Sequence, residues 1–282
     1  MKYVFFGTPE FAAIVLDELI AAGFLPDAII CNPDRPAGRK KVITPPPVKK
    51  LIAERGLESQ TKILQPEKPT PELFKEFDDI DFFVVAAYAK IIPQSILDIP
   101  RLGAIGVHPS LLPKYRGSSP IQSAILAGEM ETGVTLYMLD HKMDHGPMLA
   151  AERVMAKDIG YLELQQRLAR TGGKLLAKNL FDFAGGKIKP EVQDESQATL
   201  TKKFKTEDGF VENKDLEAAL AGNLEFARSI YQKILALTPE PGVWTLWNEK
   251  RTKLLKANLD GERLRLETVQ IEGKNPAPFH ML

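Results

Sequence analysis

Apolar and polar positions change their period repeatedly along the first half of the chain. Tyr3 to Phe6 is an unbroken apolar run, which predicts a buried strand. Gly7-Thr8-Pro9 then turns the chain, with Thr8 placed to cap a helix and Pro9 at its first position. Phe11, Val15, Leu16 and Leu19 fall on one helical face, and Gly23 ends that helix. Ala28 to Cys31 predicts a second strand, Asn32 to Pro47 a Pro-rich basic loop, and Val48 to Arg55 a helix. Strands follow at Lys62 to Gln65, Asp81 to Ala87, Gly103 to His108 and Val134 to Leu139, with a helix from Ile121 to Leu126. The run Asp81 to Ala87 does not alternate, as expected of a strand covered on both faces. This rhythm predicts an α/β fold with a Rossmann-like, mostly parallel sheet, closed by a long amphipathic helix from Gly160 to Leu180.

The pattern changes after Gly185-Gly186. Residues 187–205 read as a polar linker, so the expected division is a domain over 1–185, a linker over 186–206 and a small domain over 207–282. A helix around Leu216 to Leu237 precedes short strands at Val243 to Trp247, Lys253 to Ala257 and Leu264 to Val269. Short strands separated by turn residues predict a small, reduced β-barrel.

Composition narrows the function. Lys plus Arg and Asp plus Glu both number 37, so the chain is no general polycation, although a local basic patch remains open to it. The longest apolar run, Phe82 to Ala89, is far shorter than the roughly 20 residues that cross a bilayer. No secretory leader is evident, which together with a single cysteine points to the cytoplasm and to no membrane partner. Cys31, at the end of an apolar strand, reads as a core residue. One Cys and scattered His supply no metal-ligand set, and the lone Gly7 is no dinucleotide fingerprint.

Ligands of open α/β sheets bind beyond the carboxyl ends of the strands. That rule selects Gly7-Thr8-Pro9, Tyr88-Ala89-Lys90, the segment from His108 onward, and Asp140 to Gly146. His108 opens a Pro- and Gly-rich loop that continues to Pro120. Asp144 lies in the turn-rich Met143-Asp144-His145-Gly146-Pro147. A carboxylate and an imidazole on neighbouring strand ends can meet above the sheet, where the carboxylate orients the ring and holds its charged form. Arg35, Arg39, Lys40 and Lys41 make the best nucleic-acid candidate, since Arg holds phosphate bidentately.

The segment Val107-His108-Pro109-Ser110-Leu111-Leu112-Pro113, with Lys114-Tyr115-Arg116-Gly117 and with Asp144 in its Met-Asp-x-Gly setting, resembles the signature of the folate-dependent formyltransferases. Phe6 to Phe11, Ala86 to Pro93, Gly117 to Gln122, Glu131 to Thr135, Ala198 to Lys203 and Glu207 to Gly209 resemble further family segments. The loop Pro33 to Arg39 and the region after the linker place the resemblance with the members that act on methionyl-tRNA. The smaller members that act on a purine precursor lack both. The resemblance implies transfer of formyl from 10-formyltetrahydrofolate, a co-substrate, to the α-amine of methionyl initiator tRNA, by a monomer. It implies catalysis by His108 and Asp144. It implies a donor site from Tyr88, Ile91, Ile92, Ser110, Leu111, Leu112 and Pro113, and tRNA contacts from Arg35, Arg39, Lys40 and Lys41.

The chain departs from the family pattern in two respects, one position and one length. Gly106 stands where the family has an Asn that helps hold the formyl oxygen, so His108 and backbone N–H groups would carry more of that charge. Gly106→Asn is accordingly expected to raise turnover. A portion of the small domain between Ala257 and Gly261 is also missing. Two other readings stay open: a non-catalytic folate- or tRNA-binding relative, and a formyltransferase for another amine such as an amino sugar.

Overall fold

In the computed structural model, residues 1–38 and 40–281 are described. Strands β1 (Tyr3–Gly7), β2 (Ala28–Ile30), β3 (Arg35–Ala37), β4 (Val42–Thr44), β5 (Lys62–Leu64), β6 (Phe82–Ala86) and β7 (Ala104–His108) occupy the first part of the chain. They alternate with helices α1 (Glu10–Ala21), α2 (Pro47–Glu54) and α3 (Gln94–Leu97). Then come β8 (Arg116–Gly117), α4 (Pro120–Leu126), β9 (Glu131–Met138), β10 (Met148–Met155), α5 (Tyr161–Ala184) and β11 (Leu200–Thr201). The chain closes with α6 (Asn213–Ala221), α7 (Leu224–Leu237), β12 (Val243–Trp247), β13 (Lys250–Asp260), β14 (Arg263–Ile271) and β15 (Ala277–Pro278).

Two compact units emerge, one built on residues 1–116, 133–154 and 165–200, the other on 117–132, 155–164 and 201–282. The first carries a seven-stranded sheet in the order β10-β9-β7-β6-β1-β2-β5. Its strands from β7 to β5 are parallel. β1 and β7 are buried along their whole length, as a sheet covered on both faces requires. Phe6, Phe74 and Phe83 pack together at the centre, with Tyr88 edge-on to Phe6. The mostly parallel α/β architecture is the one the periodicity predicts.

Details differ for physical reasons. Thr8 does not cap α1: its hydroxyl receives the Asn32 N–H at 3.2 Å, and Pro9 occupies the cap position without a side-chain bond. Residues expected as one basic loop contain the β3–β4 hairpin, with Arg35 opposite Thr44. Cys31 is fully buried, and burial pushes its thiol up to about 12, the behaviour of a core residue.

β9 runs antiparallel to β7, with His108 opposite Thr135 and Gly106 opposite Tyr137. The carboxyl end of β9 therefore lies beside the start of β7, not beside His108. The strand-end rule alone cannot bring Asp144 to His108.

In the second unit, β12-β13-β14-β15 form an antiparallel sheet, consistent with a small barrel. The single helix expected there is two, because Gly222 adopts φ +111° and Asn223 caps α7 by accepting the Phe226 N–H. The shortened middle of this region is a direct hairpin, with Asp260 paired to Arg263 across Gly261 at φ +60°. Among the described residues no helix is long and apolar enough to cross a membrane.

Candidate active site

His108 ends β7 and is 6 % exposed. Its Nε2 lies 2.9 Å from the Tyr115 carbonyl. A carbonyl only accepts, so that nitrogen carries a proton. Nδ1 is thereby left facing Asp144 Oδ2 at 3.6 Å, too far for a direct hydrogen bond.

Asp144 reaches this position because its loop folds back. The Met138 N–H donates to the Pro147 carbonyl, closing the loop at its base. Asp144 itself takes φ +51°, in the left-handed region that Asp tolerates better than most residues. Gln193 holds the outside of the loop, its Nε2 donating to the carbonyls of Asp144 at 3.0 Å and Gly146 at 2.7 Å. Arg116 in turn donates from Nε and Nη2 to Gln193 Oε1 at 3.0 and 2.8 Å, and from Nη2 to Glu195 at 2.6 Å. That bond holds the Glu195 carboxyl below its ordinary range. Gln193 is buried, although it sits in a stretch that is polar in composition. Nothing in its sequence neighbourhood distinguishes it, so only the fold reveals it.

The loop after His108 is braced from β9. Thr135 Oγ1 donates to the Ser110 carbonyl at 2.7 Å and accepts the Leu112 N–H at 3.0 Å. Ser110 Oγ donates to the Lys114 carbonyl at 2.7 Å. Ser110 is 0 % exposed, so it shapes the loop from within and offers no surface to a ligand. Leu112 is likewise buried, whereas Leu111 and Pro113 are partly open. Tyr88 packs against the core while staying partly open, its hydroxyl buried with no partner among the described residues and its phenol pushed up to about 12 by burial. Ile91 is 90 % exposed and Ile92 partly so. Open apolar surface thus falls to Ile91 and in part to Ile92, Leu111, Pro113 and Tyr88, and not to Ser110 or Leu112.

Gly106 has no open space beside it. A Cβ there would meet the Tyr137 ring, with Cζ at 2.6 Å, and Leu139 Cδ1 at 2.8 Å. The expected gain from Gly106→Asn therefore meets a filled site. Tyr137, which reads in the sequence as an ordinary strand residue, instead donates its hydroxyl to Asp144 Oδ1 at 2.6 Å.

Arg35, Lys40 and Lys41 lie on the β3–β4 hairpin. Arg35 pairs with Glu67 at 3.2 Å with both side chains largely exposed. Lys40 and Lys41 are exposed, and Lys41 takes φ +49° in the turn. Arg39 lies outside the described residues.

Fold and geometry together define an α/β protein with a buried imidazole facing a partly buried carboxylate beyond a strand end. The chain belongs to the formyl transferase family: residues 1–180 match the formyl transferase domain and residues 224–265 match the formyl transferase C-terminal domain. It is 40 % identical over 261 residues to the methionyl-tRNA formyltransferase of Chloroflexus aggregans, covering 91 % of this chain and 80 % of that one. It is 38 % identical to the same-named protein of Halorhodospira halophila, covering 91 % and 79 %. Among solved structures, the N-formyltransferase from Helicobacter canadensis in complex with folinic acid and dTDP-3-aminofucose superposes with TM-score 0.67 at 19 % identity, covering 96 % of this chain and 95 % of that one. The methionyl-tRNA formyltransferase from Clostridium thermocellum superposes with TM-score 0.59 at 17 % identity, covering 96 % and 98 %. These two likenesses are of fold.

Proposed function

We propose that the protein transfers the formyl group of 10-formyltetrahydrofolate to the α-amine of methionine on initiator tRNA, acting as a cytoplasmic monomer. The observation that carries this reading is the His108–Asp144 pair, set within a chain about 40 % identical to methionyl-tRNA formyltransferases over most of its length.

The amine nitrogen attacks the formyl carbon, and the carbonyl becomes an oxyanion. The bond from carbon to the folate nitrogen then breaks. The amine loses one proton and the folate nitrogen gains one. Asp144 takes the first through water. His108, entering the reaction as the imidazolium with a proton on each nitrogen, donates the second from Nδ1 while Nε2 stays anchored on the Tyr115 carbonyl. A water bridging the 3.6 Å gap returns the proton from Asp144 to His108 and restores the starting state. The donor's ring packs on Ile91, Ile92, Leu111 and Pro113. Arg35, Arg39, Lys40 and Lys41 hold tRNA phosphates, and residues 207–282 add contacts to the same tRNA.

The test is formation of formyl-methionyl-tRNA by the purified protein from 10-formyltetrahydrofolate and charged initiator tRNA, with a nucleotide-linked amino sugar as the competing acceptor. Formylation of the sugar alone rejects the tRNA reading. Binding of a folate analogue without turnover on either acceptor favours a non-catalytic protein.

A further inference from the structure

The geometry points to Tyr137 as the positioning residue that sets the Asp144 carboxylate, with the side-chain-free Gly106 making room for its ring. The inference deepens the proposed formyl transfer and rests on that reading.

Gly106 and Tyr137 are direct partners across the antiparallel β7–β9 pair, so their side-chain positions share one face of the sheet. His108, two residues along β7 from Gly106, shares that face. Any side chain at 106 would overlap the phenol ring. With none there, the ring lies against β7, its plane nearly perpendicular to that of His108 at a centroid distance of 6.4 Å. Its hydroxyl ends 2.6 Å from Asp144 Oδ1. That is the length of a charge-assisted O–H to carboxylate bond. The two Asp144 oxygens are thus divided, Oδ1 held by the phenol and Oδ2 turned to His108 Nδ1.

Tyr137 is 7 % exposed, and burial followed by the Asp144 charge raises its phenol well above the ordinary value. It therefore stays protonated and remains a donor throughout the range in which the enzyme would work. Tyr137 acts through Asp144, and the glycine at 106 is a fitted gap.

Tyr137→Phe removes one oxygen and keeps the ring. The expected result is a fall in kcat of about 20-fold, as for loss of a hydrogen bond to a charged group. KM for both substrates should stay within about twofold, since the hydroxyl touches neither. In an Asp144→Asn background the same change should cost almost nothing further. A folded Tyr137→Phe protein with kcat near wild type overturns the inference, and so does full additivity with Asp144→Asn. Proton NMR of the wild-type protein supplies a readout independent of turnover. A downfield, slowly exchanging Tyr137 hydroxyl proton is expected, and it should vanish in Asp144→Asn. Absence of that signal in wild type overturns the inference even if Tyr137→Phe does not fold. Wild-type protein that shows the signal but formylates no methionyl-tRNA refutes the functional reading and leaves the Tyr137–Asp144 linkage supported.

Discussion

The His108–Asp144 pocket and the β3–β4 hairpin place charge in opposite ways. In the pocket each charged or polar group is fixed by a neighbour: Tyr115 for His108, Tyr137 for Asp144, Gln193 for the loop, Arg116 for Gln193. On the hairpin the Arg35–Glu67 pair is exposed, and Lys40 and Lys41 stand in solvent. Proton transfer needs atoms held to a few tenths of an ångström. Phosphate attraction needs net charge and tolerates movement. The contrast implies that single substitutions in the pocket cost turnover, whereas those on the hairpin cost affinity for a polyanion and little else.

The largest effect is expected from Asp144→Asn, which keeps volume and removes the charge. kcat should fall by about 10³-fold, within the range for loss of a positioned acid or base. Tm should change little, and steady-state rates with a melting curve check both. Turnover within a few-fold of wild type would remove Asp144 from the chemistry.

Gly106→Asn comes next. Its Cβ would overlap the Tyr137 ring, so overpacking should cost about 1–3 kcal/mol of stability. Displacing the phenol from Asp144 should lower kcat at least as much as Tyr137→Phe does. Increased turnover in a folded protein would show that position 106 can supply a donor after all.

Gln193→Ala tests whether the pocket depends on its outer support. It deletes two bonds to loop carbonyls and takes one acceptor from Arg116. A loss of about 1–3 kcal/mol in stability is expected, as for buried polar groups left unpaired. About a tenfold fall in kcat should accompany it as Asp144 drifts. Stability and kcat both near wild type would show that the loop holds itself.

The smallest effect belongs to the hairpin. Arg35→Ala combined with Lys40→Ala should raise KM for tRNA a few-fold. The log–log dependence of binding on salt should become shallower by about 0.7–0.9 for each phosphate no longer neutralised. Folate binding and Tm should not move, since an exposed ion pair contributes little to stability. Equal losses for tRNA and folate would end the assignment of this hairpin to the acceptor.

Much of this was legible in one dimension. The apolar runs ending at Phe6, Ala86 and His108 specify buried strands, since only a sheet covered on both faces hides them. His108 and Asp144 were visible as chemistry-bearing residues in loops rich in Pro and Gly. The deep burial of Ser110 was not visible, because a serine in a turn reads the same whether its hydroxyl meets water or the Lys114 carbonyl. Tyr88 was ambiguous for a similar reason: a strand-end aromatic can face a ligand or its own core, and this one stands edge-on to Phe6 while staying partly open.

What the sequence alone determined was local: periodicity, turn chemistry, the identity of the reactive groups, and the absence of a side chain at 106. Tertiary structure decided what that absence is for. Antiparallel pairing of β9 with β7 set Tyr137 opposite Gly106, and the fold-back of the next loop carried Asp144 to the phenol. Neither fact has a local signal, because register and loop path follow from how many distant groups pack and pair at once.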